Sequence, residues 1–136
     1  MKLVPATVEH LAGIIELELG FAPRNRWSQA AWAEEISHPA RSCTVATDGS
    51  VVGVLLLGLG DVTDLLRIVV SPEHRRRGVA DRLMRELDGV GARALLEVAE
   101  DNRAAQALYA KHGFREISRR RNYYGAGVDA IIMERE

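Results

Sequence analysis

Between Leu65 and Met84 the chain reads LLRIVVSPEHRRRGVADRLM, and the residues able to do chemistry lie at its junction, Arg75-Arg76-Arg77-Gly78. Leu65, Leu66, Ile68, Val69 and Val70 form a strand too apolar for a half-wet sheet edge. Leu83, Met84 and Leu87 supply the core-facing side of the helix that follows. The first N–H groups of a helix lack internal acceptors and carry the positive end of its dipole, and a glycine there lets an anion approach the backbone. A pyrophosphate fits such a turn. Glu97 is a second candidate, a carboxylate in the otherwise apolar strand Ala94 to Val98. It reads either as a strand-end acid facing solvent or, partly buried, as a general base. Tyr109, with Ala105 and Leu108 on one helix, reads either as an aromatic core anchor or as a phenol that donates a proton.

The elements that must position these groups follow from periodicity and punctuation. Lys2 to Ala6 reads as a strand, and Thr7 caps a helix with apolar positions Leu11, Ile14, Ile15 and Leu19, ended by Gly20 and Pro23. Ser28 starts a second helix carrying Trp32 and Ile36, closed by His38-Pro39. Strands Ser42 to Thr47 and Val51 to Leu59 flank Asp48-Gly49, a strong hairpin signal. A strand from Asp64 to Val70 leads to a helix from about Arg77 to Leu87. Ala94 to Val98 leads to a helix from Asn102 to His112 that Gly113 terminates. Strands near Glu116 to Tyr123 and Val128 to Glu134 end the chain. The class is α+β around one mixed sheet.

Bulk properties narrow the functions. At 136 residues and 47% hydrophobic, residues 1–136 have the length of one domain with one sizeable core. A formal net charge of -1 gives no support to general nucleic-acid binding. Cys43 is the only cysteine, which excludes a disulfide framework and a multi-cysteine zinc site and fits a reducing cytoplasm. The longest apolar run, Val51 to Leu59, is too short to span a bilayer, so no membrane partner is expected. The string GxxxxGK[ST] is absent, Gly58-Leu59-Gly60 lacks the third glycine of a dinucleotide fingerprint, and no GxSxG elbow occurs. His10, His38, His74 and His112 show no metal-ligand spacing, so no metal is expected.

RRRGVA at Arg75 to Ala80 resembles the Q/R-x-x-G-x-G/A motif of the GNAT acetyltransferase superfamily. LLEVAEDNRAAQALYAKHGF, Leu95 to Phe114, resembles the superfamily's other signature, a strand ending near the cofactor and an N-x-x-A-x-x-x-Y helix running into Gly-Phe. Arg120-Arg121-Asn122-Tyr123-Tyr124, then Asp129-Ala130-Ile131-Ile132-Met133, is similar to the RRNYY and DAIIM blocks of the ribosomal-protein-alanine N-acetyltransferases, the RimI-type family. Trp27-Ser28 matches that family's W-S element.

The resemblance implies a GNAT fold, with a single central, mostly antiparallel mixed sheet flanked by about four helices, and acetyl-CoA as cosubstrate. It implies that Ile68, Val69 and Val70 pair with the pantetheine arm. Arg75, Arg76, Arg77, Gly78, Val79, Ala80 and Asp81 hold the pyrophosphate, and Asn102 contacts the cofactor. Glu97 becomes the general base and Tyr109 the general acid. The implied acceptor is the α-amine of an Ala-starting ribosomal protein; a lysine side chain, a small-molecule amine, or a non-catalytic coenzyme-binding module are the alternatives. Arg119 to Arg121 with Tyr123 and Tyr124 read either as a solvated strand end or as the wall of a groove for a peptide N-terminus. Three residues depart from the family pattern: Asp81 adds negative charge close to the pyrophosphate, Arg67 replaces a small polar residue, and Ala99 replaces an arginine. Nothing in the sequence specifies an oligomeric state.

Overall fold

The computed structural model describes residues 1–91, 93–125 and 127–136. Strands β1 (Lys2–Pro5), β2 (Arg41–Thr47), β3 (Val51–Gly58), β4 (Val62–Val70), β5 (Arg93–Ala99), β6 (Arg115–Arg120) and β7 (Ala130–Arg135) form one sheet in the order β1-β2-β3-β4-β5-β7-β6. Among the described residues only β4 and β5 pair in parallel; the other neighbours are antiparallel. Four α-helices flank the sheet: α1 (Leu11–Glu18), α2 (Gln29–Ser37), α3 (Val79–Met84) and α4 (Arg103–Lys111).

Two apolar clusters cover the two faces. Ile14, Leu17, Trp32, Val45, Val54 and Leu56 close the face under α1 and α2. Val79, Leu83, Met84, Tyr109 and Phe114 pack with Leu55, Leu57, Leu96 and Ile131 on the other. Each fully buried leucine contributes about 1.5–3 kcal/mol. Gly13 brings α1 close to the sheet, since a Cβ there would meet Val51 at 2.7 Å. The local signals read from sequence act as caps and stops. The Ser28 hydroxyl accepts from Ala31 N at 3.1 Å, Asn102 Oδ1 accepts from Ala105 N at 3.2 Å, and Gly113 takes a φ of 91° after α4.

Several boundaries differ from the sequence reading. The third helix starts at Val79 rather than Arg77, because Arg76 and Gly78 have φ of 64° and 78°, outside helical geometry. Its last part, Arg85–Gly89, tightens into a 3₁₀ turn. Leu17, not Leu19, faces the core: Leu19 caps α1 and is exposed. The sixth strand stops at Arg120, and Asn122, with φ of 53°, opens a turn whose Oδ1 accepts from Gly127 N at 2.7 Å.

Candidate active site

The parallel ladder between β4 and β5 runs only from Val62 opposite Arg93 to Asp64 opposite Leu95. Beyond it β4 stays paired to β3 as far as Val70, so its other edge and that of β5 separate without mutual hydrogen bonds among the described residues. A groove of about 1280 Å³ occupies the gap, lined by residues 66–70 of β4, Glu97 to Ala99 of β5 and one side of α4. The ladder of β3 and β4 shifts where Leu57 meets Leu65 and Leu56 meets Arg67, leaving Leu66 as an extra residue. Such a bulge re-aims the side chains that follow it. Leu65, Ile68 and Val70 accordingly pack toward α3 and α4, while Val69 packs toward α1 and α2. The strand is apolar on both sides because its second side is a groove wall as well as a core surface.

At one end of the groove lies the arginine turn. Val70, His74, Arg75, Arg76, Gly78, Val79, Ala80 and Asp81 enclose a cavity of about 130 Å³ there. Left-handed backbone at Arg76 and Gly78 is the geometry that turns successive N–H groups into an anion-binding concavity. The backbone N–H groups of residues 76–81 donate to no acceptor among the described residues. His74 Nδ1 is likewise buried without a partner. Val79 is buried in the core, so only its backbone faces this task, and Arg77 lies outside the lining of both cavity and groove. Asp81 does not stand as a bare charge. His112 Nε2 donates to its Oδ1 at 2.8 Å and Lys111 Nζ to its Oδ2 at 3.1 Å, and these bonds hold its carboxyl below the usual range.

The other end gathers Glu97, Tyr124, Phe21 and Trp27. Glu97 is exposed at the groove edge, where Tyr124 Oη donates to Oε2 at 3.3 Å and an Arg120 nitrogen lies 3.8 Å from Oε1. Of the two readings of Glu97, the solvent-facing strand-end acid describes its exposure, and hydrogen bonding rather than burial holds the carboxylate. Burial and then the Glu97 carboxylate raise the pKa of Tyr124, which keeps it a donor. Tyr109 lines the groove from α4, is 8% exposed, and stacks edge-on against Phe114 with ring centroids 6.1 Å apart. Burial pushes its pKa up to about 12. Asn102 and Ala99 also line the groove. The Ala99 carbonyl accepts from Gln106 Nε2 at 3.1 Å, which ties β5 to α4.

Of the basic and aromatic run, the structure brings Arg120 and Tyr124 to the site. Arg119 instead joins Glu116, Glu100 and Asp129 in a surface ion-pair network, and Tyr123 packs edge-on against Tyr124 at 5.3 Å. Phe21 and the Glu18–Arg67 pair were not singled out from sequence. A signal existed: Glu18 follows Leu11 and Ile14 at helical spacing, an acid on a buried face that demands a cation. Among the described residues no three His, Cys, Asp or Glu side chains gather as metal ligands do.

Residues 11–114 match the model of the acetyltransferase (GNAT) family. The chain belongs to the GNAT acetyltransferase family. An uncharacterised protein of Mycobacterium leprae is 37% identical over 98% of this chain, which spans 39% of that protein's length. The N-alpha-acetyltransferase RimI of Mycobacterium tuberculosis is 34% identical over 85% of this chain and 79% of its own. The ribosomal protein bS18-alanine N-acetyltransferase of Escherichia coli is 33% identical over 79% of this chain and 78% of its own. The crystal structure of the Escherichia coli enzyme superposes with a TM-score of 0.82 at 28% identity, covering 98% of this chain and 92% of that one.

This GNAT protein is therefore an acetyl-CoA-dependent N-acetyltransferase, and the expected fold, one mixed sheet of seven strands with four flanking helices, is the one observed. The groove fits acetyl-CoA on its own evidence. Unpartnered N–H groups and an orphaned imidazole nitrogen lie at one end, and open strand edges run between apolar walls toward the other.

Proposed function

We propose that the protein acetylates the N-terminal α-amine of an Ala-starting ribosomal protein. The observation that carries this reading is the identity, over most of the chain, of 34% to an N-alpha-acetyltransferase and 33% to a ribosomal protein bS18-alanine N-acetyltransferase, together with a carboxylate at the groove end opposite the phosphate turn. A cytoplasmic location goes with such an acceptor. Acetyl-CoA, when bound, supplies an acetyl thioester open to attack by a free amine. Arg75, Arg76 and the N–H groups of Gly78 to Asp81 hold its pyrophosphate. The free edge at Ile68, Val69 and Val70 pairs with the pantetheine amides and directs an N–H toward the thioester oxygen.

Glu97 then takes the proton of the acceptor amine, directly or through a water. An α-amine has a pKa of about 7.7–8.0, so the base needs to give only mild assistance. Tyr109 faces the departing sulfur. With its pKa near 12 and a thiol reference near 8.5, complete proton transfer would be uphill by about 5 kcal/mol. Its role is therefore a hydrogen bond to the sulfur as charge develops there. Transfer is direct within a ternary complex. Cys43, the only thiol, sits in β2 outside the groove, and burial with the nearby Glu35 pushes its pKa up to about 12, which makes it a poor nucleophile.

The test is incubation with acetyl-CoA and peptides of varied first residue, with mass spectrometry to locate the acetyl group. Acetylation of the α-amine, fastest on Ala-starting peptides, is the expected result. Acetyl groups only on lysine side chains or on small amines would replace this reading with one of those acceptors.

A further inference from the structure

Arg67 is bonded almost entirely to a segment distant in sequence. Glu18 at the end of α1 is 1% exposed, and both its oxygens are used: Oε1 accepts from Trp27 N at 2.7 Å and Arg67 Nη2 at 2.8 Å, and Oε2 from Arg67 Nε at 3.0 Å. Arg67 Nη2 also donates to Asn25 O at 2.8 Å. Its guanidinium lies 4.1 Å from the Phe21 ring centroid and 4.6 Å from that of Trp27. Every one of these contacts reaches α1's last residue or the connection from α1 to α2.

That connection forms a wall of the groove through Phe21 and Trp27. Its position along the groove follows from register. Asp64 lies opposite Leu95 at the end of the ladder; Glu97 is two residues beyond that point on β5, and Arg67, just past the extra residue Leu66, is about as far along β4. Val70, which borders the arginine turn, is three residues beyond Arg67, roughly 10 Å along a strand. The connection therefore flanks the Glu97 end of the groove, away from the phosphate turn. The core beneath α1 and α2 is already closed by Ile14, Trp32, Val45 and Leu56, each fully buried, whereas the Arg67 side chain remains 15% exposed at the groove.

We propose that Arg67 is a positioning residue for the acceptor: paired with Glu18 and stacked on Phe21 and Trp27, it holds the α1–α2 connection as a pre-formed wall beside Glu97. The proposal rests on the reading that the acceptor amine enters at the Glu97 end. A wall already ordered spares the acceptor the entropy of ordering it, so its loss weakens apparent acceptor affinity by the fraction of molecules with the wall in place. With the Arg67 charge neutralised by Glu18, the wall offered to the acceptor is aromatic, which suits a small apolar first residue.

The test uses Arg67→Lys, which keeps the charge but loses the two-pronged bond and the stacking, and Glu18→Gln, which keeps the shape. In whichever variant folds, acceptor KM rises at least tenfold while acetyl-CoA KM stays within twofold. Trypsin cleaves after Arg24 or Arg26 at least fivefold faster than in the wild type. Acceptor KM within twofold of wild type, or equal rises in both KM values, overturns the proposal. So does an unchanged cleavage rate, a readout that needs no acceptor and decides the matter if both variants are too unstable for kinetics at working temperature but fold when cold. KM is measured on whichever amine the wild type acetylates best. If that amine is not an α-amine, the acceptor reading falls while the Arg67 split is still measured.

Discussion

Asp81 in α3 accepts a hydrogen bond from His112 Nε2 in the turn after α4, at 2.8 Å, with Lys111 Nζ adding a second at 3.1 Å. The bond clamps the helix that follows the arginine turn to the helix that carries Tyr109. It also offsets a negative charge that the sequence alone places awkwardly close to a pyrophosphate. An acid in the first turn of α3 is favoured by the helix dipole as well.

Asp81→Asn tests the clamp. The carboxyl lies below its usual range because of His112 first and Lys111 second, so the folded pKa is below the unfolded value of about 3.9. Its contribution is thus fully present above about pH 5, shrinks as pH falls through about 4, and is gone below the folded pKa. A partly exposed pair of this kind is worth roughly 1 kcal/mol, so urea unfolding should show Asp81→Asn destabilised by that amount at pH 7 and level with wild type at the acid end. Because the charge is already paired, acetyl-CoA KM should change less than threefold.

Gly78→Ala tests the turn itself. A Cβ at Gly78 meets nothing within 4 Å, so any effect comes from its φ of 78° and not from a clash. Holding an alanine in left-handed geometry costs about 1–2 kcal/mol. Thermal unfolding should reveal a loss of that order. Calorimetric titration with coenzyme A should reveal weaker binding by about tenfold as the turn relaxes toward ordinary backbone.

These two residues also show where sequence reading reached and where it stopped. The strand, the arginines and Gly78 were legible because a polar junction between two apolar periodicities is a local signal, and so were the caps at Ser28 and Asn102. The start of α3 was misplaced, since an arginine with positive φ leaves no mark on hydropathy. The Asp81–His112 and Glu18–Arg67 pairs, 31 and 49 residues apart, were not legible either. A buried acid announces its need for a cation, but only the sheet's register decides which cation arrives.

Tyr109→Phe keeps the ring that packs on Phe114 and removes only the hydroxyl. Unfolding should therefore stay within about 1 kcal/mol of wild type, while kcat falls by roughly 10- to 100-fold through loss of the donor to the sulfur. With burial holding the phenol protonated until about pH 12, Tyr109 gives wild-type kcat no falling limb below pH 10. A falling limb near pH 9 that disappears in Tyr109→Phe would contradict this assignment.

Glu97→Gln removes the base while leaving a side chain that can still accept from Tyr124. At pH 7 only about a tenth of an α-amine acceptor is in the free form, so loss of proton removal should lower kcat by about tenfold. Raising the pH above the amine's own value of about 8 delivers a free amine without enzyme help. The deficit should then shrink to less than about twofold by pH 9.5, and the variant's pH–rate profile should rise with the acceptor's titration. Changing to an acceptor amine of higher pKa should move that rise upward in the variant. A deficit of the same size at every pH would assign Glu97 to orienting the acceptor through Tyr124 and Arg120, and would remove it from the proton's path.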